Sequence, residues 1–121
     1  MEISLLIDGV DRGATGNRVF KRYDPVTGDV ATTAAAASVD DALEAVAAAQ
    51  NAFPAWSATG PSERRRLLMK AADELEGMSS EIVPTMTAET GATAAWAGFN
   101  CTLGAGMLRE AAAMTTQISG E

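Results

Sequence analysis

Val30-Ala31-Thr32-Thr33-Ala34-Ala35-Ala36-Ala37-Ser38-Val39-Asp40-Asp41 is the stretch where the chain changes its period. Val30 to Ala34 reads as a strand of weak propensity. The second half opens a helix. Ser38 is a good N-cap, and Asp41 three residues on makes a capping box with Asp in the usual place of Glu. Before this switch the chain is short apolar runs and turns; after it, helical spacing takes over.

Upstream, Ser4 to Val10 reads as one short apolar strand. Asp11-Arg12-Gly13-Ala14-Thr15-Gly16-Asn17 is turn chemistry, and Arg18 to Tyr23 is a second strand. Asp24-Pro25-Val26-Thr27-Gly28-Asp29 is a second turn, in which Pro25 fixes φ and Gly28 relieves the bend. Three short strands joined by turns predict an antiparallel meander over residues 1–37.

Downstream, Val39, Leu43, Val46, Ala47 and Phe53 share one helical face, and Pro54 is expected to stop that helix. Pro61 opens a second helix with a stripe of Leu67, Leu68, Ala71, Ala72 and Leu75, and Gly77 is the expected cap. A third, shorter helix runs from Ser79 or Ser80 to Gly91, with Pro84 tolerated near its start. The segment from Ala92 to Ser119 is almost all apolar or small and carries Gly98, Gly104 and Gly106. Interior glycines weaken a helix, so this one packs close to a neighbouring backbone or breaks near Gly98. The fold class is α/β, antiparallel strands followed by three or four helices, with residues 38–121 as the helical part. Such an arrangement is a layer that needs another layer.

Composition narrows the function. Of 121 residues 25 are Ala, while Leu, Ile, Val and Phe together number 22, so burial per residue is modest and the core thin. The net charge of −7 argues against nucleic acid or an anionic membrane as partner. No apolar run is long enough to span a bilayer, and the first residues lack a signal peptide's basic region. One Cys excludes a disulfide framework and suits a reducing cytoplasm. The absence of His removes Ser-His and Cys-His pairs and the commonest zinc ligand. Neither nucleotide-binding glycine motif occurs.

The remaining candidates have bland alternatives. Cys101 sits in an apolar helical stretch and reads as a buried structural thiol rather than a nucleophile. Trp96, Phe99 and Leu103 fall on one helical face, which suits core packing or an apolar lining for an aromatic substrate. Asn100 is able to bond a substrate or satisfy backbone near Gly98. Arg64-Arg65-Arg66 reads as a solvated face paired with Glu63, Asp73, Glu74 and Glu76. Asp40, Asp41 and Glu44 complement a helix dipole more simply than they hold a metal.

Several segments resemble the NAD(P)-dependent aldehyde dehydrogenase family. Asp24-Pro25-Val26-Thr27-Gly28-Asp29-Val30 is similar to its N-P-x-T-G-E-V turn, with Asp24 for the usual Asn. Ala52-Phe53-Pro54-Ala55-Trp56 is similar to A-F-x-x-W. Arg64-Arg65-Arg66-Leu67-Leu68 with Ala72-Asp73-Glu74-Leu75-Glu76 resembles its R-x-x-L-L and A-D-x-L-E helix, and Glu89-Thr90-Gly91 its E-x-G helix end. Trp96-Ala97-Gly98-Phe99-Asn100 and the run from Arg109 to Glu121 resemble the branch that oxidises salicylaldehyde.

The resemblance implies an incomplete portion of that fold. The implied enzyme is a cytoplasmic homo-oligomer that oxidises an aromatic aldehyde to the carboxylate with NAD or NADP. The catalytic Cys, the general-base Glu and the phosphate-binding turn fall outside the matched segment. This chain would then supply no catalytic, cofactor-binding or metal residue. Its partners would be the rest of the subunit and the aldehyde, with residues 1–37 as an oligomerisation-type sheet. Trp96, Phe99 and Leu103 would line the substrate entrance. The alternative is a non-enzymatic interaction module docking through its Ala- and Gly-rich last helix.

Overall fold

The computed structural model describes residues 1–117. The elements in chain order are β1 (Glu2–Ile3), β2 (Leu5–Ile7), β3 (Val10–Arg12), a 3-10 turn (Thr15–Asn17), β4 (Val19–Tyr23), β5 (Val30–Ala35), α1 (Val39–Ser57), α2 (Pro61–Gly77), α3 (Ser79–Thr90) and α4 (Ala94–Met114). They form two compact units, one over Met1–Ala58 and one from Thr59 onward.

In the first unit the predicted strand over residues 4–10 is instead a hairpin. Asp8 (φ 52°) and Gly9 (φ 74°) both take the left-handed conformation, and Ile7 pairs with Val10 across this two-residue turn. Asp-Gly suits a turn that needs positive φ twice, and that choice folds a continuous apolar run back on itself. Nor is the remainder a meander of neighbours. The three-stranded sheet has the order β1-β5-β4, and β1 lies parallel to β5. Only β4 and β5 are joined as expected, antiparallel through the turn at 24–29. There the Asp24 carboxylate accepts from the N–H of Val26 (2.7 Å) and Thr27 (3.1 Å), the bonds an Asn would make. Gly28 closes the turn at φ 80°.

Helix α1 starts with the expected capping box, and Asp41 reaches beyond it. Asp41 accepts from the Ser38 N–H (2.7 Å) and hydroxyl (2.8 Å), and from the Thr15 N–H (3.1 Å) and hydroxyl (2.8 Å). Beside it Arg12 grips Glu44 with two nitrogens, at 2.7 and 2.6 Å. Asp41 is buried, and its carboxyl is held well below its ordinary value, first by the Ser38 backbone N–H and then by the Thr15 hydroxyl.

The helix does not stop at Pro54; it runs one turn further, to Ser57. Proline forfeits its own backbone donor and crowds the preceding turn, but it leaves its carbonyl free to accept from the residues that follow. The Pro54 carbonyl still accepts from the Ala58 N–H and the Ser57 hydroxyl. Nor is the Val39, Leu43, Val46, Phe53 stripe buried: each of these side chains is more than 60% exposed. Instead α1 turns Ala45, Ala48, Ala49 and Ala52 toward Leu6 and Ile7 of β2, around a shallow apolar hollow.

In the second unit α4 packs most extensively on α2 and next on α3. Of the predicted α2 stripe only Ala72 is fully buried; Leu67, Leu68 and Leu75 are half-buried and Ala71 is exposed. Met78, not Gly77, follows α2 as its cap and also precedes α3. Gly91 ends α3 in the left-handed conformation at φ 70°. Thr93 starts α4, which passes through Gly98 without a break and ends at Met114. Ile118 and Ser119 lie outside the described residues.

Candidate functional site

Two faces of α4 differ in kind. Ala97, Cys101, Ala105 and Ala112 recur at helical spacing and are buried. Away from them stand Trp96, Phe99 and Leu103, at 56%, 51% and 47% exposed. They are therefore not core of this unit. The Trp96 and Phe99 rings are stacked, with centroids 5.4 Å apart and planes 29° apart. Stacking fixes two large rings as one apolar slab, which suits contact with another flat ring.

The backbone of Trp96 is held at both ends. Its N–H donates to the Thr93 hydroxyl at 3.2 Å, and its carbonyl accepts from Asn100 Nδ2 at 2.8 Å. Asn100 thus satisfies backbone in a helix that does not break. Thr93 escaped the sequence reading although a Thr three residues before the first aromatic is an N-cap signal. Met107, four residues after Leu103 and 65% exposed, continues the apolar face and was also missed. Arg109, one turn from the end of α4, reaches Glu76 and Asp73 on α2. These residues lie 33 and 36 positions away, so no local pattern announces the contact.

The other candidates fall elsewhere. Cys101 is buried on the inner face of α4, at 4% exposure. Among the arginines of α2, Arg66 grips Glu63 with two nitrogens at 2.8 and 2.6 Å, an i,i+3 pair. Asp73 and Glu76 do not complete that face, since Arg109 takes them. Among the described residues no group of three or more His, Cys, Asp or Glu is placed to hold a metal.

The first turns of α1, α2 and α3 carry acidic side chains, while that of α4 carries none. The strand-to-helix step from β5 to α1 ends on Asp40 and on the internally bonded Asp41, which oppose a pyrophosphate. Helices α2 and α3 carry Glu63 and Glu81 in their first turns. The chain's own chemistry on offer is an apolar, aromatic contact surface.

Known proteins share the fold of this chain. The aldehyde dehydrogenase family model matches residues 12–121. The chain is 52% identical over 121 residues to the vanillin dehydrogenase of Pseudomonas fluorescens, covering 100% of this chain and 25% of that protein. A salicylaldehyde dehydrogenase from Pseudomonas putida G7, solved in complex with salicylaldehyde, is 44% identical with a TM-score of 0.96, again over 100% of this chain and 25% of the other. An NAD-dependent aldehyde dehydrogenase from Sinorhizobium meliloti is 31% identical with a TM-score of 0.95, over the same shares of the two chains. The chain spans about a quarter of the length of these relatives. With the family's pattern running through nearly all of its length, the chain belongs to the aldehyde dehydrogenase family.

Proposed function

We propose that the chain is the N-terminal framework of an NAD(P)-dependent dehydrogenase that oxidises an aromatic, salicylaldehyde-like aldehyde to its carboxylate. The stacked, half-exposed Trp96–Phe99 pair carries this reading. It is an aromatic surface offered outward, in a chain whose relatives include a vanillin and a salicylaldehyde dehydrogenase. Trp96, Phe99 and Leu103 form one wall of the substrate entrance. They supply apolar area and ring contacts, and they exclude water from the bound aldehyde.

The nicotinamide cofactor accepts the hydride when bound. Parts of the subunit outside this chain hold it, together with the nucleophile and the base. Residues 1–37 serve as a strand layer for subunit contact in a cytoplasmic homo-oligomer, and residues 38–121 support the cofactor domain. Similarity to enzymes along the whole chain favours this reading over a docking module. The chain alone should produce no NADH from an aldehyde.

The deciding experiment is Trp96→Ala in the complete subunit. The KM for salicylaldehyde should rise more than that for propanal, because the indole face contacts only the ring. Equal effects on the two aldehydes reject the lining role.

A further inference from the structure

We propose that Arg109 is a positioning residue for the aromatic face: by clamping α4 to α2 it sets the rotation and register at which Trp96, Phe99 and Leu103 are presented. The inference rests on the lining role above and identifies what holds that wall in place.

The fully buried residues of α4 are Ala97, Cys101, Ala105 and Ala112, and Leu108 is half-buried on the same face. Four small side chains and one leucine make a shallow ridge, which by itself defines helix register loosely. Two further features mark the register. One is Gly104, where an added Cβ would stand 3.1 Å from Leu75 Cδ2. The other is Arg109. Its Nη1 donates to Glu76 Oε1 at 2.8 Å, and its Nη2 donates to Glu76 Oε2 at 2.8 Å and to Asp73 Oδ1 at 2.9 Å. Two nitrogens on both oxygens of one carboxylate fix direction as well as distance.

The clamp matters through geometry more than energy. Asp73 and Glu76 are substantially exposed, so water screens much of the attraction. Arg109 itself is a third exposed. A helix with its side chains has a radius of about 5–6 Å, so a turn of roughly 20° moves the outer face by about 2 Å. A displacement of that order takes the wall out of van der Waals reach of a bound aromatic ring, which weakens binding of the ring without moving the reacting groups. Leu103 lies about 9 Å along the axis from Arg109, within one continuous helix.

The test uses the complete subunit, with salicylaldehyde and propanal as probes. Arg109→Met should raise KM for salicylaldehyde roughly three- to tenfold, with KM for propanal and both kcat values within about twofold of the parent. Arg109→Lys keeps the charge but not the fork, and its shift should fall between parent and Met variant. Trp96→Ala is measured alongside. If Trp96→Ala is selective for the aromatic aldehyde while Arg109→Met changes nothing or affects both aldehydes equally, positioning is overturned and the lining role stands. If Trp96→Ala affects both aldehydes equally, the lining role falls and takes the positioning role with it. Should Arg109→Met not fold, Glu76→Gln removes the bidentate carboxylate from the other side and is held to the same outcomes.

Discussion

Replacing Gly98 and Gly106 by alanine, singly and together, should stabilise this chain, while the same change at Gly104 should not. All three glycines lie inside α4. A Cβ built at Gly98 or Gly106 meets nothing within 4 Å, whereas one at Gly104 meets Leu75 Cδ2 at 3.1 Å. Alanine is better than glycine in a helix interior by about 1 kcal/mol. With open space at both sites, each change should yield about 0.5–1 kcal/mol. The sites are eight residues, about 12 Å, apart along the axis, so the gains should add. For a unit this small 1 kcal/mol moves Tm by about 4–8 °C, so a combined gain of about 1–2 kcal/mol puts the double variant about 4–16 °C above the parent.

At Gly104 the same propensity gain is opposed by overpacking, which typically costs about 1–3 kcal/mol. Leu75 offers the end of a flexible, half-buried side chain, so the net result there should be neutral to modestly destabilising. The assay is thermal and urea unfolding of the 121-residue chain followed by far-UV circular dichroism. A loss of stability at Gly98 or Gly106 would refute the open-space argument. A gain at Gly104 as large as at the other two would refute the close approach of α2 and α4. Reversal of the Gly98 or Gly106 gain in the complete subunit would show another backbone packed against that site.

Asp41 should make the chain acid-sensitive. Its folded value lies below the ordinary 3.8, so its contribution is fully present above that pH and is lost as the pH falls through the depressed value. Urea midpoints should therefore drop as the pH is lowered below about 4, and Asp41→Asn should flatten that part of the profile; parallel profiles would contradict the assignment. Asp24→Ala should cost about 1 kcal/mol by removing two turn bonds, while Asp24→Asn keeps both and should be close to neutral in the same unfolding assay. An equal loss in the two variants would mean that the carboxylate charge, not the turn geometry, is what the site uses.

What the sequence disclosed was mostly local. The Asp24 turn and the Ser38–Asp41 box each close within a few residues, so side-chain chemistry alone identifies them. The spacing of Trp96, Phe99 and Leu103 put them on one face, but spacing cannot say whether a face is covered. Here the small residues on the other side of α4 took the buried position. The same competition reversed the expectation for α1, where an alanine face approaches β2 and leaves Val39, Leu43 and Phe53 outward. At Asp8-Gly9 an unbroken apolar run masked a two-residue turn. Pro54 reads as a stop from its missing donor, yet its carbonyl still closes the last turn with Ala58 and Ser57. The parallel pairing of β1 with β5 and the reach of Arg109 to α2 join residues some thirty positions apart, beyond any periodicity.

The bonds gathered on Asp41 also constrain how this chain tolerates recombination with its relatives. Thr15, Ser38 and Asp41 share one carboxylate, and Arg12 with Glu44 closes the same corner. Substitutions at positions so joined are not independent. A crossover placed between residues 17 and 38 separates Arg12 and Thr15 from Asp41 and Glu44 and should yield a mismatched hybrid wherever the second parent differs at one of these positions, whereas one placed after Glu44 inherits the corner intact. Family shuffling across this region should therefore recover functional hybrids in two blocks, with the boundary beyond the first turns of α1.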